Sequence, residues 1–234
     1  MLNLSNIEIR VSDRSLFNFA DLKLTNGLIG LVGRNGTGKS TFLKTILGEH
    51  QNYSGEIKLN NVELSKIEKS EKAKLISVVY SKPEIFGNHT VREVLLLGRL
   101  PYQNLFAKVT ENDIRVVEKI IALLELESFV HKEFLILSDG EKQMVMIGRA
   151  LVQDTPIILL DEPGAFLDVV NRYKLSDVLK KIVSETNKLI IYSTHHIDLL
   201  ESHCNAVLLI SEGKMIELNE PNQFLPKIKQ TFGI

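Results

Sequence analysis

The chain has 234 residues, 28 Lys and Arg against 29 Asp and Glu, and a net charge of −1. The basic residues are scattered, and Lys227 and Lys229 in the tail do not amount to a patch, which argues against a nucleic-acid partner. No apolar run approaches the roughly 18 residues of a membrane span, and the single Cys204 excludes an internal disulfide and fits a reducing cytosol.

The length and the 44% hydrophobic content suit one large domain, or a domain with a subdomain. Met1-Leu2-Asn3 reads as no secretory signal. Leu2, Leu4, Ile7, Ile9 and Val11 alternate imperfectly and predict a strand over 2–11. Phe17, Phe19, Leu22 and Leu24 predict a second strand returning, and Asn26-Gly27 turns the chain into a short buried strand over 28–32. Next comes Gly33-Arg34-Asn35-Gly36-Thr37-Gly38-Lys39-Ser40-Thr41, which fits the phosphate-loop pattern G-x-x-x-x-G-K-[ST] at every defined position. A helix over 39–47 follows, with Phe42, Leu43, Ile46 and Leu47 on one face and Gly48 as a stop.

Strand, Gly-rich loop and helix N-terminus together make an anion site. Glycines let successive backbone N–H groups turn inward, and the helix dipole adds partial positive charge. The candidate phosphate-binding residues are Gly33, Asn35, Gly36, Gly38, Lys39, Ser40 and Thr41. Lys39 would reach the outer phosphates as a point charge, Ser40 would place its hydroxyl on Mg²⁺, and Thr41 would support the inner phosphates.

Beyond this loop, Ile57 and Leu59 mark a strand closed by Asn60-Asn61. A polar helix over 68–74, an apolar strand over 75–80 and a loop over 81–89 lead to helices. The first covers 90–97 and ends at Gly98-Arg99-Leu100-Pro101-Tyr102. Thr110 with Asp113 opens the next, where Ile114, Val117, Ile120, Ile121 and Leu124 recur at helical spacing. Ser138 with Glu141 caps a third, running to about Val152. Residues 90–152 therefore read as a helical subdomain inserted in a core of 1–89 and 153–234. Ile157 to Leu160 is fully apolar, as in a parallel strand covered on both faces, and ends in Asp161-Glu162-Pro163. A helix over 173–183 and a buried strand over 189–192 follow, the latter ending in Ser193-Thr194-His195-His196. A hairpin of 206–210 and 214–218 and a closing helix from Pro221 complete the chain. Asp161 is a hard oxygen donor for Mg²⁺, directly or through water. Glu162, one residue on, is placed to accept a proton from water attacking a γ-phosphate.

The order of phosphate loop, Leu137-Ser138-Asp139-Gly140-Glu141, Asp161-Glu162 and His195 resembles the ATP-binding cassette (ABC) ATPases over essentially the whole chain. The resemblance implies an α/β fold: a P-loop NTPase core with a mostly parallel sheet, an N-terminal antiparallel β subdomain and an inserted helical subdomain. It implies ATP and Mg²⁺ as cofactors and a homodimer of head-to-tail cassettes. In such a dimer Ser138 and the Gly140 backbone would meet the γ-phosphate held by the partner cassette. His195 matches the family's switch histidine, and Asp168 the aspartate of its dimer-contact loop.

Several positions depart from the pattern. Ser81 stands where the family has a Gln, and Asp139 and Glu141 replace a Gly and a Gln of the signature. Glu141 is expected to be neutralised by the helix cap, whereas Asp139 has no evident partner. Val11 falls near the family's adenine-stacking aromatic, with Phe17 the nearest ring. Gly98-Arg99-Leu100-Pro101-Tyr102 resembles a segment of the ATPases serving iron–siderophore, haem and cobalamin importers. That implies a separate transmembrane permease, a binding protein in the wider importer, and a cytoplasmic location on the inner face of the membrane. A soluble cassette of the iron–sulphur cluster assembly type and an exporter ATPase are the alternatives.

Overall fold

The computed structural model describes residues 1–81, 87–103 and 108–234; the expected loop over 81–89 falls outside the described residues at 82–86. The strands are β1 (Leu2–Val11), β2 (Arg14–Leu24), β3 (Gly27–Gly33), β4 (Tyr53–Leu59), β5 (Val62–Glu63), β6 (Ile76–Val79), β7 (Ile157–Leu160), β8 (Leu189–Ser193), β9 (Ala206–Ser211) and β10 (Lys214–Leu218). The helices are α1 (Lys39–Leu47), α2 (Lys69–Leu75), α3 (Val91–Leu97), α4 (Glu111–Leu123), α5 (Asp139–Val152), α6 (Val169–Glu185), α7 (Leu200–His203) and α8 (Pro221–Phe232). They fall into two compact units, Met1–Glu68 with Leu179–Ile234, and Lys69–Val178.

In the first unit the strands follow the order β5-β4-β1-β2-β10-β9-β3-β8. β1 pairs antiparallel with β2 and β4, while β3 lies parallel to both β8 and β9. The arrangement is mixed, with antiparallel strands at one side and parallel ones around the phosphate loop. The imperfect alternation of β1 has a cause. Its pairing with β4 shifts register between Ser5 and Glu8, around Asn6 at φ 49°. That bulge resets which residues face inward, so Leu2, Leu4, Ile7 and Ile9 are all buried. β3 is buried along its entire length, as a strand covered on both faces must be. α1 buries Phe42, Leu43 and Ile46 and stops at Gly48 in the left-handed conformation, whose N–H caps the Lys44 and Thr45 carbonyls.

In the second unit β6 and β7 pair parallel from Ile76↔Ile157 to Val79↔Leu160. Leu75 closes α2 and is not part of the strand. Capping boxes open α3 at Thr90 and Glu93, α4 at Thr110 and Asp113, and α5 at Ser138 and Glu141. α6 begins at Val169, four residues before the expected start at 173. The Asp168 carboxylate accepts from the Asn171 N–H at 2.8 Å and caps the helix there. Exposed Val169 and Val170 hid this start, because they break the apolar stripe that the periodicity follows.

The Gly98-to-Tyr102 segment is held by a buried ion pair. Arg99 Nε donates to Asp113 Oδ1 at 2.8 Å, and another Arg99 N–H donates to the Val152 carbonyl at 2.9 Å. Asp113 Oδ2 accepts from the Thr110 N–H and hydroxyl at 2.9 and 2.7 Å, so one carboxylate closes the pair and caps α4. Burial pushes the Asp113 carboxyl up, but the hydrogen bonds from Arg99 and Thr110 outweigh it and hold it below its ordinary value. Asp113→Ala strands a buried guanidinium and is expected to cost about 3–5 kcal/mol in urea unfolding. A depressed carboxyl stabilises above its unfolded pKa and loses that contribution as pH falls through the folded one. The wild-type advantage over the variant should therefore hold at neutral pH and shrink only below about pH 4.

Candidate functional site

The phosphate loop lies in the first unit. β3 delivers the chain to Gly33, and the loop turns through Gly36 at φ 77° and Gly38 at φ 102° before α1 begins at Lys39. A side chain at Gly38 would be strained by that φ and would also meet Leu16 and Phe17 at 2.9 and 3.0 Å. Arg34, Asn35, Gly36 and Ser40 are exposed, Thr37 and Thr41 half-buried, and Lys39 buried. Lys39 Nζ donates to the Gly33 carbonyl at 3.0 Å, so the ammonium is kept inside the loop by the loop's own backbone. β8 runs parallel to β3, with Leu31 opposite Ser193, and the Thr194 N–H donates to the Leu31 carbonyl at 3.1 Å. Parallel pairing brings both C-terminal ends to one edge. The exposed His195 therefore emerges beside the strand that feeds the phosphate loop.

Asp161, Glu162, Ser138 and Gly140 lie in the second unit. Asp161 is buried at the tip of β7, its N–H donating to the Val79 carbonyl at 2.8 Å. Glu162 is half-buried and has φ 50°, the left-handed region that non-glycine residues seldom occupy. The chain then turns through Phe166-Leu167-Asp168 and comes back against the start of α5. A Cβ on Gly140 would stand 3.2 Å from the Phe166 carbonyl oxygen, so this approach favours a glycine. A cavity of about 630 Å³ opens here, lined by Ser138, Gly140, Glu141, Phe166 and Asp168 together with residues of α4 and α6.

The departures now have physical content. Ser138 N–H and hydroxyl both donate to Glu141 Oε2, at 2.8 and 2.7 Å. Those bonds hold the Glu141 carboxyl below its ordinary value, so the cap keeps it ionised. The expected cap is present, and it compensates the carboxylate with two donors at the N-terminus of α5. Asp139 is exposed. Phe17 is fully buried, packed against Phe19 and Phe42, and offers no face to a base. Val11 is exposed at the end of β1 and aliphatic. Ser81 is half-buried, at the last described position before 87. Sequence reading missed the Asp168 cap and the Arg99–Asp113 pair. The first has a local signal in the Asp-x-x-Asn spacing, and the second has none.

The comparisons with known proteins agree with this geometry. Residues 19–165 match the family model described as ABC transporter. An uncharacterized ABC transporter ATP-binding protein of Methanocaldococcus jannaschii is 31% identical over 97% of this chain and 79% of its own length. The iron(3+)-hydroxamate import ATP-binding protein of Bacillus subtilis is 28% identical over 100% of this chain and 88% of its own. Among solved structures, cbiO1 of Clostridium perfringens, part of the ABC transporter complex cbiONQ, superposes with a TM-score of 0.82 at 25% identity, over 100% of this chain and 98% of that one. With a phosphate loop, a capped signature helix and a carboxylate pair on one chain, and relatives matching from end to end, the chain belongs to the ABC transporter family as an ATP-binding, ATP-hydrolysing cassette.

Proposed function

We propose that this cassette works as a homodimer with two shared ATP sites and drives a separate membrane permease that imports an iron–siderophore, haem or cobalamin-type cargo. Gly33, Asn35, Gly36, Gly38, Lys39, Ser40 and Thr41 hold the phosphates. Asp161 and Ser40 hold Mg²⁺, Glu162 is the general base, and Ser138, Gly140 and His195 read the γ-phosphate. Among the described residues no three His, Cys, Asp or Glu side chains group as a metal site. A hydroxyl and a carboxylate fit Mg²⁺, which takes oxygen ligands and draws most of them from substrate phosphates and water. Held by these two residues, the ion would supply positive charge to the phosphates of the nucleotide.

The observation that carries the reading is the cavity at the start of α5. It is lined by Ser138 and Gly140, where the capped N-terminus of α5 has the character of an anion site. In the proposed dimer the nucleotide that meets it is held by the second cassette. ATP that touches both faces only when they are closed favours closure by its differential affinity, and loss of the γ-phosphate lets the dimer reopen. No helix among the described residues is long and apolar enough to cross a membrane, which suits a cassette held on the cytoplasmic side of the membrane by its permease. The iron-hydroxamate relative favours the cargo class, and a binding protein would complete such an importer. The 90–152 segment would be the helical subdomain, with 1–89 and 153–234 as the nucleotide-binding core.

Mixing tests the shared site. A Lys39→Ala chain and a Ser138→Arg chain are each expected to be inactive alone. In a mixed dimer one site carries both defects and the other neither. A one-to-one mixture should then regain about a quarter of wild-type ATPase activity, since half of randomly paired twofold dimers are mixed and each has one intact site. No recovery, with mixed dimers demonstrated by a tagged chain, argues against independently active shared sites. A dimer carrying one wild-type chain would then decide whether strict cooperativity is the reason.

A further inference from the structure

Arg34 follows Gly33 in the phosphate loop, and its backbone and side chain face different partners. The carbonyl is a hub of the loop. It accepts from the Thr37 N–H at 3.3 Å, from the Thr37 hydroxyl at 2.8 Å and, more weakly, from Lys39 Nζ at 3.5 Å. The side chain leaves the loop altogether. Its Nη2 donates to the Phe232 carbonyl at 2.7 Å, and the guanidinium carbon lies 5.7 Å from the centre of the Phe232 ring.

Phe232 is the last residue of α8. The carbonyls of a final helical turn have no acceptor role inside the helix and carry its partial negative charge. A guanidinium there satisfies an orphan acceptor, complements the dipole and stacks on a ring at once. α8 is a firm support, because Phe224 and Ile228 are completely buried and the Leu225 N–H donates to Glu201 at 3.3 Å. Gly233 and Ile234 fold their N–H groups back onto the Lys229 carbonyl, closing the helix end next to the arginine.

We infer that Arg34 is a positioning residue through which the C-terminal end of α8 holds the phosphate loop in its nucleotide-ready form. Residues 34–36 are exposed, and the loop turns through Gly36 and Gly38 at positive φ, so the untethered loop would pay an ordering cost on binding. A tie from Arg34 to α8 removes part of that cost in advance. Linkage then runs both ways: what fixes the loop steadies the helix end, and a partner or modification that displaces the end of α8 weakens nucleotide binding. The inference rests on this loop being the nucleotide site, which Lys39→Ala tests separately.

The experiment uses ADP, which binds without turnover. Arg34→Ala and Arg34→Lys should both weaken ADP roughly threefold to tenfold, because lysine keeps the charge but neither the planar fork nor the stack. Phe232→Ala, with the loop sequence intact, should do the same to a smaller degree. In wild type, ADP should slow hydrogen exchange at the Gly233 and Ile234 amides; in both arginine variants that response should vanish while melting temperatures stay within a few degrees. Wild-type affinity in Arg34→Lys would make the residue a mere charge and overturn the inference. So would an exchange rate at Gly233 and Ile234 that ADP leaves unchanged in the wild type.

Discussion

Lys39→Ala should weaken ATP binding by at least about a hundredfold, on the reasoning that a charge-assisted hydrogen bond is worth about 1.5–3 kcal/mol and the ammonium would make more than one to the outer phosphates. The structure explains how the charge is kept ready. Lys39 is buried, and its ammonium rests on the Gly33 carbonyl of its own loop. Moving from that carbonyl to a phosphate is a short step, made without taking the charge out of water at the moment of binding. Alanine removes the charge and leaves the Gly33 carbonyl without that donor, so urea unfolding is to be measured beside equilibrium titration with ATP. A small loss of stability with a large loss of affinity is the expected pair. Unchanged affinity in the titration would remove this loop from the nucleotide site.

Features written in neighbouring residues were legible in advance, because their physics is local. The phosphate loop, the caps at Thr110 and Ser138, the apolar runs of β3 and β7 and the turn at Asn26-Gly27 each declare themselves within a few positions. What failed depends on contacts distant in the chain. Phe17 was the nearest ring to the adenine position by count, but packing with Phe42 buries it. Arg99 and Asp113 stand 14 residues apart, and Arg34 and Phe232 stand 198 apart. Neither pair leaves a periodic or spaced trace. The β1 bulge was visible as broken alternation, yet its meaning needed the partner strand β4.

Glu162→Gln should lower kcat by about a hundredfold to ten-thousandfold, the usual worth of a general base, while nucleotide affinity stays near wild type. Gln keeps the size and the hydrogen-bonding capacity of the side chain and loses only the ability to take a proton. The ATP-bound dimer should therefore accumulate and be visible by size-exclusion chromatography in the presence of ATP. The backbone bears on stability. Glu162 sits at φ 50°, and its carbonyl accepts from the Ala165 N–H at 3.0 Å. A left-handed non-glycine residue costs about 1–3 kcal/mol. Glu125 and Glu212 adopt the same region at φ 55° and 49°, so the conformation marks a turn, and the assignment of chemistry rests on the place of Glu162 directly after Asp161 at the tip of β7. Glu162→Gly separates the two roles: it should lose hydrolysis as fully as Glu162→Gln and yet match or exceed wild type in urea unfolding. Hydrolysis at the wild-type rate in Glu162→Gln would mean that another group takes the proton. His195, exposed at the end of β8 beside the strand that feeds the phosphate loop, would then be the first residue to replace.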